Sequence, residues 1–586
     1  MSIAVHVTHE SVKKIGGIGA VLSGVCNSSK YEGAYEKTVF YGPVFGEVTE
    51  VLVDLEKGGE VLYSSHNGYN VGDYGEKFEE IVRKYNVDII YGRRKLVSEF
   101  DATRYCVVDV INVGITRMNQ DQSEQFKYLL WKDFDIKSHL YEDDWDYNQY
   151  LRIGAPYLEI LEALYGSDAE YVHFSHEYMG VPSVLSVLLA KREERTVFIA
   201  HEVTTARSIV EGHYGHDVSF YNILNKAKGQ KSLEQVFGSF ENHSRTALVK
   251  CAKHFDYVFA VGEQVKDEYL FLVPDADPEK IKIVYNGVSA KAVTFEKKQQ
   301  SRKRIESYIN RLYNFTPDVI FTHISRLVIS KGIWRDIALL EYLDEIFYSK
   351  GLKGIYILLS TQVATGRAGS DIFKMEHDYG WPVLHREGWP DLIGDEKDVN
   401  SYIELFNAKS RAIKGVFLNQ FGFDRARCGL RVPPDAEFAD LRMSSDAELG
   451  LSIYEPFGIA QIETVPFGGV AILSSCCGSA GFLVDNFKGS AIKPYYIVDY
   501  IAAGKKLSYN ALKDMTIAHR SEMERQILAK SAGHIFEVLP LTEEQKRQYL
   551  ENALEYASKI SWESSADGYV ISSDRPTLSV RGVCPG

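Results

Sequence analysis

Short apolar, strand-like runs alternate with helical stretches along this chain, and they do so in two separate series. The first opens with Ile3, Val5 and Val7, turns at "KKIGGIGAVLSGV", and goes on through "VDIIYG", "YCVVDVINVG", "RTVFIAHEV", "DYVFAVG" and "IKIVYNGV". The pattern breaks after Val288. A second series begins at "DVIFTHISRLVISKG" and continues through "GIYILLS", "GVFLNQFG" and "VAILSS". Strands separated by helices specify layered α/β domains. Two such units joined near residue 290 imply a cleft, and open sheets place ligands outside the carboxyl ends of their strands. The 586 residues suffice for two large domains, each with a core of its own. The expected division is a first domain over 1–290 and a second over 291–540 with an insertion around 366–449. A helix over 541–565 and a mobile tail over 566–586 follow.

Two helices carry explicit signals. In "EKKQQSRKRIESYINRL", Ile305, Tyr308, Ile309 and Leu312 fall on one face, and the charges read as a solvated side. In "LTEEQKRQYLENALEYASKI", Thr542 and Gln545 have the spacing of a capping box. A net charge of −14 argues against broad binding to nucleic acid or an anionic membrane. The longest apolar run, "GVPSVLSVLLA", is too short to cross a bilayer. "MSIAVHVTHE" reads as a strand and not as a signal peptide. The seven cysteines are odd in number and lack zinc spacing, as expected of reduced thiols in a cytoplasmic protein. A homo-oligomer is compatible with this composition.

Three segments have the residue types for chemistry. In "KIGGIG", Lys14, Gly16 and Gly17 follow the first strand, where glycines let backbone amides approach a phosphate or a sugar. A tight strand–helix turn explains the same residues, and neither the dinucleotide fingerprint nor a Walker loop is present. In "SRLVISKG", Arg326 and Lys331 follow a strand and could both face one diphosphate; two surface cations are the alternative. In "SIYEPFGIAQIETVPFGG", Pro456 suits the first turn of a helix, which would leave the amides of Gly458, Ile459 and Ala460 free for an anion. Glu455 and Glu463 could accept hydrogen bonds from sugar hydroxyls; a capping Glu455 and a solvated Glu463 are the alternative. "EDDWD" (142–146) reads as a charged loop rather than a metal constellation.

Taken in order, these segments resemble the retaining glycosyltransferases of the glycogen and starch synthase type. "KIGGIG" is similar to their K-x-G-G-L-G and "SRLVISKG" to their R-x4-K-G. "YEPFG" with Glu-x7-Glu, followed by "SSCCGSAGF", looks like their donor site. "HFSHEYMG" resembles H-x-H-[DE]-W, and "YNGV" matches the N-G-[VL] that precedes the interdomain crossing. "HEVTTAR" and "SFYN" are similar to the animal and fungal glycogen synthases. The sequence departs from the pattern at Ala20, where aspartate is usual, and at Tyr178, which stands for tryptophan. His173 and His176 are one residue further apart than usual. The Arg326-to-Lys331 spacing follows the bacterial and plant branch, which mostly uses ADP-glucose. The longer N-terminal run follows the branch that uses UDP-glucose.

The resemblance implies the GT-B fold: two Rossmann-like domains, acceptor on the first, nucleotide sugar on the second, and a C-terminal helix crossing back. It implies transfer of glucose from a nucleotide-glucose, UDP-glucose foremost, to an α-1,4-glucan with retained configuration. No cofactor or metal is expected. Glu455 would hold the donor hexose, with His201 beside it, and Glu463 the ribose. Arg207, Arg326 and Lys331 would stabilise the leaving diphosphate. Lys14, Gly16, Gly17, Asn286, Gly458, Ile459, Ala460, Gly478 and Ser479 would complete the donor site, and Glu177 would position the acceptor. A transferase for a small acceptor and a non-catalytic glucan-binding relative are the competing readings; a binding protein has no need for leaving-group cations.

Overall fold

The computed structural model describes residues 2–98, 103–289, 291–363, 367, 377–378 and 387–571. Two sheets form the frame. The first has strand order β10-β9-β8-β7-β1-β2-β6-β5-β3-β4. Its strands are β1 (Ser2–Val7), β2 (Tyr35–Pro43), β3 (Gly59–Ser64), β4 (Tyr69–Asn70), β5 (Asp88–Val97), β6 (Tyr105–Gly114), β7 (Tyr171–His176), β8 (Arg195–Ala200), β9 (Tyr257–Ala260) and β10 (Ile281–Ile283). The run from β10 to β6 is parallel, and β5, β3 and β4 extend it as an antiparallel edge.

The second sheet is wholly parallel, with order β13-β12-β11-β14-β15-β16. It consists of β11 (Val319–Arg326), β12 (Gly354–Thr361), β13 (Ile413–Leu418), β14 (Ala447–Gly450), β15 (Val470–Ser474) and β16 (Tyr495–Val498). Strands buried on both faces are near-continuous apolar runs, as "GIYILLS" in β12 is. The chain leaves β11 toward one edge and returns to β14 on its other side, so the order reverses between β11 and β14. In the first sheet the reversal lies between β1 and β7. Ligands of doubly wound sheets bind at such reversals.

Several expectations need correction. The described part of 366–449 is no appended insertion: the helix Glu396–Lys409 leads into β13, the edge strand of the second sheet. The run "GVFLNQFG" supplies β13 from inside that range, while β14 and β16 are too short to leave a period. Residues 366, 368–376 and 379–386 lie outside the described residues. The charges of the helix Phe295–Tyr313 are not all solvated. Lys298 Nζ donates to the Phe467 carbonyl (2.6 Å), and Arg302 pairs with buried Asp446 (2.7 Å). Lys298 and Arg302 share the buried face of Ile305 and Ile309, and Tyr308 is fully buried beside them. The tail is not free throughout, because Tyr569 is buried and its carbonyl accepts from Tyr35 Oη (2.7 Å); 572–586 lie outside the described residues.

The helix Glu543–Ile560 starts with the Thr542–Gln545 capping box. It delivers the chain back to the first domain, where Ser561 bridges Val288 and Trp562 packs on Gly24. Among the described residues no helix is long and apolar enough to cross a membrane.

Candidate functional site

The carboxyl ends of β11 and β14, the reversal point of the second sheet, carry the cations and the first carboxylate. Arg326 ends β11 and is exposed. The chain then makes a turn over Ile329–Lys331 and enters the helix Ile333–Lys350 through Gly332. Gly332 has φ +61°, and a Cβ there would lie 2.5 Å from the Leu451 carbonyl, so the glycine lets this turn press against the strand-end loop after β14. The amide of Ile453 donates to the Ser330 carbonyl (2.8 Å) and locks the two loops together. Lys331 Nζ then meets Glu455 Oε2 in an ion pair. Gln461 Nε2 (3.1 Å) and Ser452 Oγ (3.4 Å) also donate to that oxygen.

No α-helix follows Pro456. Gly458 turns the chain at φ +89° and a short 3-10 turn spans Ala460–Ile462. Glu463 Oε2 is bound by the buried Arg442 (2.5 Å), a partner that no local pattern places there. Gly478 and Ser479 begin the helix Gly478–Asn486, but their amides serve the protein itself: they donate to the carbonyls of Glu455 (3.0 Å) and Phe457 (2.8 Å). A Cβ on Gly478 would fall 1.9 Å from the Pro456 carbonyl, so glycine is required for this approach.

The first domain brings its own strand ends to face these loops. Between β1 and the helix Gly17–Cys26, the loop bearing Lys14, Gly16 and Gly17 is exposed. Buried Glu10 fills its amide concavity, with Oε2 accepting from Ile15 N (2.6 Å) and Gly16 N (2.8 Å). An internal carboxylate thus occupies amides that the sequence offered to a phosphate or a sugar, within the tight strand–helix turn that was the alternative reading. At the end of β7, Glu177 adopts φ +59°, uncommon for a non-glycine residue. Its Oε1 accepts from Glu202 N (2.7 Å), while Oε2 is buried without a partner. Desolvation, then the Glu202 charge, push its carboxyl well above the ordinary range.

His201, past the end of β8, is reached through a chain of rings. Tyr31 Oη lies 2.6 Å from His6 Nε2, His6 Nδ1 lies 2.8 Å from His176 Nε2, and His176 Nδ1 lies 2.9 Å from His201 Nε2. Burial lowers His6 and His201 to about 3, so the chain is neutral at ordinary pH. Arg207 does not stand beside Arg326 as a bare cation: it pairs with Glu202 (3.1 Å) and Glu211 (2.9 Å). Burial acts to lower it, and those two carboxylates outweigh that and hold it protonated. Its helix, Thr204–Gly212, packs on the Ile329–Lys331 turn. "EDDWD" is more than a charged loop. Asp144 caps the helix Trp145–Gly154, and Asp146 accepts from Tyr178 Oη (2.5 Å) and Arg245 (3.0 Å). Asn286 is buried with its Oδ1 unpartnered.

Contacts across the domains confirm that the two sets of strand ends face one another. Gly262 abuts Gly478 and Pro456, and Gln264 Nε2 donates to the Ser475 carbonyl (3.0 Å). A cleft of about 610 Å³ brings Ala20 and Ser23 of the first domain together with Ile459 and Glu463 of the second, and Lys291 also lines it.

No protein family matches the chain, and no curated protein matches it by sequence. Solved structures do match it. The catalytic domain of starch synthase IV from Arabidopsis thaliana, bound to ADP and acarbose, is 13% identical with a TM-score of 0.50; the match covers 97% of this chain and 97% of that one. The chain shares its fold with that domain. It is GT-B, two Rossmann-like domains across a cleft. A trehalose-6-phosphate structure from E. coli bound with UDP-2-fluoro glucose is 11% identical, covers 97% of this chain and 98% of its own, and has a TM-score of 0.49. An α,α-trehalose-phosphate synthase (UDP-forming) from Burkholderia xenovorans in complex with glucose-6-phosphate is 10% identical, with 97% and 99% covered and a TM-score of 0.49. At these identities the likeness is one of fold.

Proposed function

We propose that the protein is a retaining glucosyltransferase that moves glucose from a nucleotide-glucose, UDP-glucose foremost, to the non-reducing end of an α-1,4-glucan. The observation that carries this reading is the placement of Arg326, Lys331 and Glu455 together at the reversal point of the second sheet, facing the strand ends of the first domain. The order of the motifs along the chain, from "KIGGIG" to "YEPFG", supports it, as does the fold shared with a starch synthase domain.

On this reading the difficult charge is the departing diphosphate. The donor exchanges the internal pair for two external ones: Lys331 turns to the phosphates with Arg326, and Glu455 turns to a hexose hydroxyl. Cations fixed before the reaction stabilise developing charge without reorganising. Glu463, already oriented by Arg442, offers its second oxygen to the ribose. His201, kept neutral by burial, gives a hydrogen bond to the hexose and no charge. Attack comes from the same face as departure, and the leaving phosphate takes the acceptor proton. Glu177 lines the acceptor side.

The test is to incubate the protein with UDP-glucose and ADP-glucose in parallel, with and without glycogen, and to measure nucleotide diphosphate and chain length. Glycogen-dependent release of UDP with lengthened chains is expected. UDP release that needs glucose or a sugar phosphate instead of glycogen would replace the glucan reading by a small acceptor. No release from either donor would leave a glucan-binding protein.

A further inference from the structure

The loop that carries Glu455 is held from the opposite domain by the side chain next to it. Tyr454 is buried, and its hydroxyl accepts from the Val203 amide (3.0 Å) and donates to Glu268 Oε2 (2.9 Å). Both partners belong to the first domain. Val203 lies two residues beyond His201, and Glu268 lies on the helix Glu263–Leu272, where Tyr221 Oη holds its other oxygen (2.7 Å). A second tie reaches the same loop from behind. Arg335 Nη1 donates to the carbonyls of Leu451 (3.4 Å) and Ser452 (3.2 Å), while its guanidinium binds Asp217 of the first domain (2.6 Å) and Glu524 (2.7 Å). Arg335, Asp217, Glu268 and Tyr454 are almost wholly buried, so separating the domains would strand charged and polar groups that now satisfy one another.

We propose that Tyr454 is a positioning residue: its hydroxyl, clasped by Glu268 and the Val203 amide, couples docking of the first domain to the geometry of the Leu451–Glu455 loop. It touches no substrate. Its role is to ensure that Glu455 and the His201 segment are set at once, when the cleft is closed. The proposal rests on the transferase reading for its kinetic consequence but not for its structural one.

The experiment compares Tyr454→Phe, Glu268→Leu and Glu268→Gln in the full chain, by hydrogen exchange and by transfer kinetics. Tyr454→Phe keeps the ring and its packing, so it tests the hydroxyl alone. Faster exchange is expected in peptides covering 201–206 and 451–455. A fall in kcat of about ten- to hundred-fold should accompany it, the range a small misplacement of reacting groups produces, with donor KM within about twofold. Glu268→Leu should do the same, and Glu268→Gln, which keeps an oxygen for Tyr454, should recover most of the Leu variant's loss. An unchanged exchange pattern in Tyr454→Phe overturns the coupling, as does a normal kcat in a variant that is merely less heat-stable. If the wild-type chain proves inactive with every donor, the transferase reading fails and the exchange comparison still decides the coupling.

Discussion

Lys331 and Glu455 form a pair whose two halves are assigned to different parts of one donor, and this makes a quantitative demand on mutants. On the proposed transferase reading, Lys331→Met removes a cation aimed at the diphosphate and Glu455→Gln a charge aimed at the hexose. Loss of one preorganised electrostatic contact typically lowers kcat by about 10² to 10³-fold, or about 2.7–4 kcal/mol. Independent effects would therefore multiply to about 10⁴ to 10⁶-fold in the double variant. The two side chains touch in the ligand-free protein, and their exposures are only 18% and 10%. Contacting residues couple by about 0.5–3 kcal/mol. Lys331→Met alone leaves a largely buried carboxylate with only Gln461 and Ser452 as donors, a loss worth about 3–5 kcal/mol of stability when a buried pair is broken. Adding Glu455→Gln takes that charge away. The double variant should thus be more heat-stable than Lys331→Met alone, and its kcat loss should fall short of the product by up to about 10²-fold. A four-way cycle of diphosphate release, with saturating glycogen and varied UDP-glucose, measured beside thermal unfolding, checks both. Strict multiplicativity in kcat together with additive melting shifts would assign the two residues to separate events and rule out their coupling.

Arg335→Met should be the most damaging single substitution in the interface. It leaves Asp217 buried without its cation and Glu524 with only the longer Arg520 contact (3.5 Å) and Trp334, at a cost of about 3–5 kcal/mol, and a melting temperature within a degree of wild type would contradict this. Burial raises the Glu268 carboxyl to about 8, although hydrogen bonds from Tyr221 and Tyr454 act to lower it. The folded protein then retains a proton that the unfolded chain loses near 4.5, so this site's stabilisation is full below that pH and is lost as pH rises through about 8. Glu268→Gln imitates the neutral carboxyl, and its stability relative to wild type should rise across that window; a pH-independent difference would count against the assignment. Glu463→Ala should raise donor KM more than it lowers kcat, since a ribose contact acts equally before and during the reaction; a fall in kcat alone would remove Glu463 from the ribose.

The two sheets were legible because β1, β6, β8, β11 and β12 are short segments rich in apolar residues, set apart by turns and helical stretches. β14 and β16 were not, being four residues each. The cation loop and Glu455 were legible because they sit at strand ends in a fixed order. What the sequence hid is pairing across distance. Nothing local says that Arg442 will hold Glu463, that Glu10 will fill the "KIGGIG" amides, or that Arg207 will be occupied by Glu202 and Glu211. The α-helix expected after Pro456 failed for a local reason: Gly458 at φ +89° ends any helix before it begins. Tyr454 could have been suspected from its place beside Glu455, but its partners lie 186 and 251 residues away in the chain.

If the protein transfers glucose as proposed, the reversal point of the second sheet receives the nucleotide sugar. A crystal structure of the wild-type protein with intact UDP-glucose or a non-transferable analogue decides this. The expected density has the diphosphate between Arg326 and Lys331, the hexose on Glu455 with the Lys331–Glu455 pair opened, and the ribose on Glu463. A nucleotide bound elsewhere, with that ion pair still closed, would contradict it.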